Sequence, residues 1–482
     1  MPTITSLGVG SGLDINTIVQ QLVAVESRPL NQMLSDANAL KSQISSYGKI
    51  NSLFSALQTA SNKLTSSSLW SQSTASSSDT SAITVVGGSG AAAGRYAVTV
   101  QSLANSQTLA SATPLGAASD LVGSGTLTLE LGTWDAGQAL FDVKPGSSSA
   151  SITVTASDTL QTLRDKINGL GAGISASLVT DASGVRLSLR SSDTGAQNGF
   201  RITAADDDGL NADTAGLSRF AFDPPSGTTA MALKQVATNA AATVNGIAVS
   251  AASNELDAVV EGLTIQLRKE TATPVEVAVS SDREAVKTAV KAFADAYNAL
   301  AVNIAEQTKY DPASKTGGPL QGDSAAASLQ RQMRTVLNTA SGASATFPRL
   351  SDIGLRLQRD GTLSVDAATL DSATSKLAEL KKAFANTDTV TPANAGFARR
   401  YADLATQILG VDGSLSTRTE GLRQRLTQNS DDQSRLSDRI ARFQQRLVAQ
   451  YTAMDSNLAR LNSLSSYVTQ QLDALNRTNS SR

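Results

Sequence analysis

Apolar side chains recur every three or four residues at both ends of this chain and alternate with polar ones between. That pattern constrains the fold more than any motif does. Leu30, Leu34, Ala37, Leu40, Ile44, Tyr47, Ile50, Phe54, Leu57 and Leu64 keep the short steps of a narrow coiled-coil seam. At the other end Leu436, Ile440, Phe443, Leu447, Tyr451, Met454, Leu458, Leu461, Leu464, Val468, Leu472 and Leu475 do the same. Their mean step is about 3.5 residues, the coiled-coil value. Polar Asn429 and Gln433 share the stripe just upstream, where such residues trade stability for register. A helix with one apolar stripe cannot bury it alone. The simplest partner for one end is the other end, backed by neighbouring subunits.

The first helix has its own start signal. Asp14 suits an N-cap, with Leu13 and Ile18 placed as a hydrophobic staple and Ile15, Ile18, Val19 and Leu22 on one face. Arg28-Pro29 interrupts the pattern, because the residue before a proline is pushed out of the helical region. From Trp70 the run SQSTASSSDTSAITV reads as a polar linker into strands. Tyr96/Val98/Val100, Leu127/Leu129/Leu131, Val185/Leu187/Leu189, Leu263/Ile265/Leu267 and Val275/Val277/Val279 each alternate with polar neighbours, as antiparallel strands with one wet face do. One helix, with Leu160, Leu163 and Ile167 inward, interrupts them.

After Asp282 the helical period returns through Val286, Val290, Phe293, Tyr297 and Leu300, and again from about Ser324 to Leu337. Leu350–Leu370 reads as a short β element closing into a helix. The expected fold is α+β and multidomain: terminal coiled-coil helices and a helical domain, with antiparallel β-rich head domains inserted. Such an insertion brings the chain ends together and pushes the β domains to one end of a rod.

Composition narrows the chemistry. The 482 residues contain neither Cys nor His, which removes thiolate nucleophiles, disulfides, most zinc sites and the usual proton-transfer residue near neutrality. No catalytic residue, cofactor or metal site is expected. A formal net charge of −2 gives no field to recruit nucleic acid or an anionic membrane, and no run is long and apolar enough to span a bilayer. The first basic residue is Arg28, so a secretory leader is not expected, and on that ground alone the chain reads as cytosolic.

Several segments imitate sites. Gly8–Gly12 resembles a phosphate loop, but Leu13-Asp14 stands where Lys-Ser/Thr is needed and no buried strand precedes it. Gly88, Gly90 and Gly94 follow a strand, yet Arg95–Val100 alternates as another strand where a dinucleotide site needs a helix. Asp206-Asp207-Asp208-Gly209 hints at a calcium loop whose first ligand would be Ala204, so it reads as a solvated turn. Gly322-Asp323-Ser324 lacks the closing glycine of a nucleophile elbow, and Asp323 reads as a polar helix start. Arg418, Arg423, Arg425, Arg435, Arg439, Arg442 and Arg446 alternate with acids and lack aromatics, so they read as the charged flank of the seam.

Six stretches carry a family resemblance. SLGVGSGLDINTIVQQLVAVE resembles the start of the flagellar filament cap family, also called hook-associated protein 2. ASDTLQTLRDKINGLGAGISASLV is similar to a repeat shared by flagellins and hook-associated proteins. VNGIAVSAASNELDAVVEGLTIQL, AVKAFADAYNALAVNI, GPLQGDSAAASLQRQMRTVL and LSDIGLRLQRDGTLSVDAATL resemble further parts of the cap family, in order. The resemblance implies export through the flagellar type III machinery with its chaperone, without a cleaved signal, to an extracellular place at the flagellum tip. It implies a non-enzymatic homo-oligomer, commonly a pentamer, that works with flagellin and the hook-associated junction proteins.

It further implies a docking leg from 1–45 and 435–482 and a helical domain from 46–77 and 279–434. A β-rich domain from 78–119 and 236–278 and an outer head from 120–235 complete the expected division. The residues expected to dock are Leu13, Ile15, Ile18, Leu22, Leu461, Leu464, Val468, Leu472 and Leu475. The alternative is a surface adhesin whose β head binds host mucin or glycans.

Overall fold

The computed structural model describes residues 14–313 and 315–479. They fall into two units: a helical unit from Met1–Ser66 with Val286–Arg482, and a β-rich unit from Ser67–Ala285. The α+β class expected from the periodicities is the one observed.

The helical unit contains α1 (Ile15–Glu26), α2 (Arg28–Thr65), α3 (Arg283–Thr308), α4 (Ser324–Asn338), α5 (Ala367–Thr374), α6 (Leu377–Ala385), α7 (Phe397–Leu409) and α8 (Ser414–Asn479). The Asp14 carboxylate caps α1 as expected, accepting from the Thr17 backbone N–H at 3.1 Å. The break before α2 is smaller than Arg28-Pro29 predicts. Only Ser27 separates the helices, and Arg28 is already helical. Pro29 sits in the first turn, where the missing N–H would have lacked an intrahelical partner anyway.

Tyr47, Ile50, Phe54, Leu57 and Leu64 of α2 are buried, as are Val286, Val290, Phe293, Tyr297 and Leu300 of α3. The rings of Phe293 and Tyr297 lie 5.4 and 6.0 Å from that of Tyr401 on α7, whose hydroxyl donates to the Met333 carbonyl at 2.6 Å. A chain with few aromatics thus gathers several of them into one edge-to-face cluster. The hairpin Leu355–Leu357/Leu363–Val365 runs into α5, as the 350–370 pattern predicts.

In the β-rich unit one antiparallel sheet sets Ser73–Ser77, Val275–Ser281, Gly94–Ser102, Ala240–Val244 and Ile247–Ala251 side by side. A three-stranded sheet (Glu255–Val260, Leu263–Leu267, Ile83–Gly87) shares its core with it, through Val98, Val100, Leu263, Ile265, Leu267, Val277 and their neighbours. A second core lies among Leu127, Leu129, Leu163, Ile167, Leu187, Leu189, Phe200 and Phe222. It is built from the sheet centred on Gly125–Trp134 and Gly199–Asp206, the sheet centred on Thr108–Ser111 and Gly184–Ser191, and the helix Leu160–Gly169. A Thr159/Thr162 capping box starts that helix.

The segment after Trp70 is not the linker its polarity suggests. Ser73–Ser77 is a strand, paired with Val275–Ser281 from Ser73↔Ser281 to Ser77↔Val277. Its backbone comes so close to Gly87 that a Cβ there would lie 2.5 Å from the Ser73 carbonyl oxygen. The glycine-rich decoy at 88–94 is a loop between the strands Ile83–Gly87 and Gly94–Ser102.

Candidate functional site

Asp323 anchors the helices that lead to the expected docking segments. It caps α4, accepting from the backbone N–H of Ala325 at 2.9 Å and of Ala326 at 3.2 Å. The Tyr47 hydroxyl of α2 donates to its Oδ1 at 2.6 Å, and Arg418 Nη2 of α8 donates to Oδ2 at 2.7 Å. Only 4% of the Asp323 side chain is exposed. Burial pushes its carboxyl upward, but the bonds from Tyr47 and Arg418 outweigh this and hold it below the usual carboxylate range. Burial first, and then the bond to Asp323, drives the Tyr47 phenol above its ordinary value. Arg418, first on the expected arginine flank, is therefore a structural ion-pair partner.

From that anchor α2 and α8 run side by side in opposite directions. Gln433 Nε2 donates to the Met33 carbonyl at 3.3 Å and to Asn429 Oδ1 at 2.5 Å, so the two polar seam residues act where register is set. Further along, Arg439 Nη2 meets Glu26 Oε1 at 3.1 Å, beside the end of α1.

The apolar stripe of α8 changes partners along its length. Leu436 and Ile440 are buried, Phe443, Leu447, Tyr451 and Leu458 are half-buried, and Leu461, Leu464, Val468 and Leu472 are 48–59% exposed. On α1, Ile15 and Val19 are buried, Ile18 is half-buried and Leu22 is 39% exposed. Ile15 therefore packs within the chain itself, while Leu22 and the four α8 residues present apolar surface outward. Leu13, the side chain of Leu475 and the glycines at 8–12 lie outside the described residues.

The decoys among the described residues resolve into structural roles. Asp206 Oδ2 accepts from the N–H groups of Leu217 and Ser218 at 2.6 and 3.0 Å, tying down the loop that follows. Among the described residues no group of acidic side chains is placed to hold a metal, and no helix is long and apolar enough to cross a membrane. What the helical ends offer is an uncovered apolar face on a long helix pinned at its other end.

Residues 11–107 match the family model of the flagellar hook-associated protein 2 N-terminus, and 237–463 match that of its C-terminus. The chain is 31% identical to flagellar hook-associated protein 2 of Escherichia coli K12, over 98% of this chain and 99% of that one. The chain belongs to the flagellar hook-associated protein 2 family. The B-type flagellar hook-associated protein 2 of Pseudomonas aeruginosa is also 31% identical, over 98% of each chain. Residues 141–193 match the flagellin hook IN motif, overlapping the repeat read from the sequence.

A crystal structure of the D1-D2-D3 domains of the flagellar cap protein FliD from Escherichia coli superposes with a TM-score of 0.63 at 27% identity. It covers 78% of this chain and 99% of that one. The family is thus one of flagellar cap proteins, not an enzyme family. Nothing in the names of these relatives speaks for an adhesin.

Proposed function

We propose that this protein is a non-enzymatic filament cap, which sits as a ring of copies at the growing flagellum tip and guides flagellin folding and insertion. The leg, taken as 1–45 with 435–482, docks on the filament end through Leu22, Leu461, Leu464, Val468 and Leu472, and the docking role extends to Leu13, Ile18 and Leu475. Ile15 contributes by holding α1 against its own chain. The 46–77/279–434 segment carries the leg, and the β-rich 78–119/236–278 and 120–235 segments form the plate and outer head.

The observation that carries this reading is the exposed stripe at the end of α8 in a chain that matches the cap family over nearly its whole length. Apolar surface of that extent at the end of a long helix needs a partner in the working state. The chain reaches its place through the flagellar type III route with its chaperone, and meets the hook-associated junction proteins before the first flagellin. Deleting the gene tests the reading: the mutant culture is expected to lack filaments and to release flagellin monomer into the medium. Normal filaments on the deletion strain would overturn it.

A further inference from the structure

Asparagine followed by glycine is a chemically labile pair, because a glycine without a side chain lets its backbone nitrogen approach the asparagine amide carbon. Three such pairs occur in this chain: Asn168-Gly169, Asn198-Gly199 and Asn245-Gly246. The fold treats them differently.

Two are held shut. Asn168 accepts from the Ala176 N–H at 2.7 Å and donates to the Ala176 carbonyl at 2.9 Å, so both ends of its amide are engaged. Gly169 is the last residue of the helix Leu160–Gly169, and its N–H belongs to the helical ladder. Asn198 is only 5% exposed. It accepts from Lys144 Nζ and donates to the Thr194 carbonyl, each at 2.6 Å, and the Gly199 N–H donates to the Ala196 carbonyl.

The third is open. Asn245 and Gly246 make the turn between Ala240–Val244 and Ile247–Ala251, with φ of 51° and 82°. Those are the positive values that a tight hairpin asks of Asn-Gly. Both residues are exposed, and a Cβ on Gly246 would meet nothing within 4 Å. Among the described residues neither the Gly246 N–H nor Asn245 Nδ2 has a hydrogen-bond partner. Asn245 Oδ1, by contrast, accepts from the Ala97 N–H at 2.9 Å. A donor in that place polarises the carbonyl and stabilises its oxygen as negative charge develops. The attacking nitrogen and the leaving amine are free, and the oxygen is supported.

We propose that Asn245 is a self-modification site, converted spontaneously to aspartate and isoaspartate in the folded protein. The Gly246 nitrogen bonds to Asn245 Cγ while its proton passes to Nδ2, which departs as ammonia and leaves a cyclic succinimide. Water then opens the ring at either carbonyl carbon. One opening gives aspartate. The other gives isoaspartate, which carries the main chain through Cγ and lengthens it by one methylene. The lengthened turn no longer fits the Val244↔Ile247 pairing, and the strand Ile247–Ala251, whose one partner in the sheet is Ala240–Val244, loosens. None of this depends on the docking role.

The test incubates the folded full chain at neutral pH and follows all three sites by peptide mass mapping, with the chain in urea as the reference without structure. Electron-transfer fragmentation tells isoaspartate from aspartate. In the folded chain Asn245 is expected to convert at least about tenfold faster than Asn168 and Asn198, which must first break hydrogen bonds. In urea the three rates are expected to converge. Hydrogen exchange at Ile247–Ala251 should rise with the isoaspartate fraction and stay at the wild-type level in Asn245→Asp, which keeps the length of the turn.

A folded chain in which Asn245 converts no faster than the other two would overturn the proposal. Aspartate without isoaspartate would overturn the backbone attack, since plain hydrolysis gives aspartate alone. Unchanged exchange in the converted protein would overturn the effect on the edge strand.

Discussion

At the scale of single residues, Asp323 links three helices with one carboxylate. Replacing it by Ala removes the α4 cap and strands the Tyr47 hydroxyl and the Arg418 guanidinium. A loss of about 3 kcal/mol is expected, read from urea unfolding of the full chain. Tyr47→Phe removes a single donor and is expected to cost about 1 kcal/mol. The same site gives a pH signature. The folded carboxyl titrates below its unfolded value, so its contribution is complete above the unfolded range of about 4 and disappears as pH falls through the folded value. Unfolding midpoints between pH 6 and about 2.5 should therefore converge for wild type and Asp323→Asn as pH falls; a gap that stays constant would contradict the assignment.

At the scale of elements, α8 passes from packed to uncovered without a break in the helix. Limited proteolysis of the free protein should cut first beyond about Met454 and leave the β-rich unit and the α2–α7 core intact, because cleavage follows the cheapest local opening. A chain cut first in the core would contradict this. The elements legible in the sequence were those with large inward side chains, such as Val275/Val277/Val279 or Phe293/Tyr297. Ser73–Ser77 escaped because its inward positions begin with Ser73 and Ala75, too small to mark an alternation.

Two helices, α6 and α7, escaped for a related reason. The buried face of α7 is Phe397, Ala398, Tyr401, Ala402, Ala405 and Ile408, half of it alanine, so the period was present but faint. The docking stripe was legible as a stripe, but exposure is not written in spacing: Ile15 and Leu22 share a pattern and differ in what covers them. Tyr47, Asp323 and Arg418 are joined only by folding, with successive partners 276 and 95 positions apart, and no local signal links them.

At the scale of the whole molecule, the expected assembly is a closed ring. Rings arise from head-to-tail contacts between identical copies, in which two different patches of one chain meet. Native mass measurement of the purified cap should give one closed multiple of the 49.7 kDa chain, independent of protein concentration above the assembly threshold. A monomer at all concentrations would contradict the ring, and an open-ended ladder of masses would contradict its closure.

The helical unit is stitched from the two ends of the chain around a β-rich unit that is continuous in sequence. Its closing contacts join residues as far apart as Met33 and Gln433, or Glu26 and Arg439. Contacts of such separation form late, after the loop between them has been gathered in. A chain delivered one end first therefore has a built-in clock. On the proposed export route its middle folds as soon as it is out, while the faces of α1 and α2 that meet α8 wait for that helix to arrive. Completion of the leg reports that delivery of the whole chain is over.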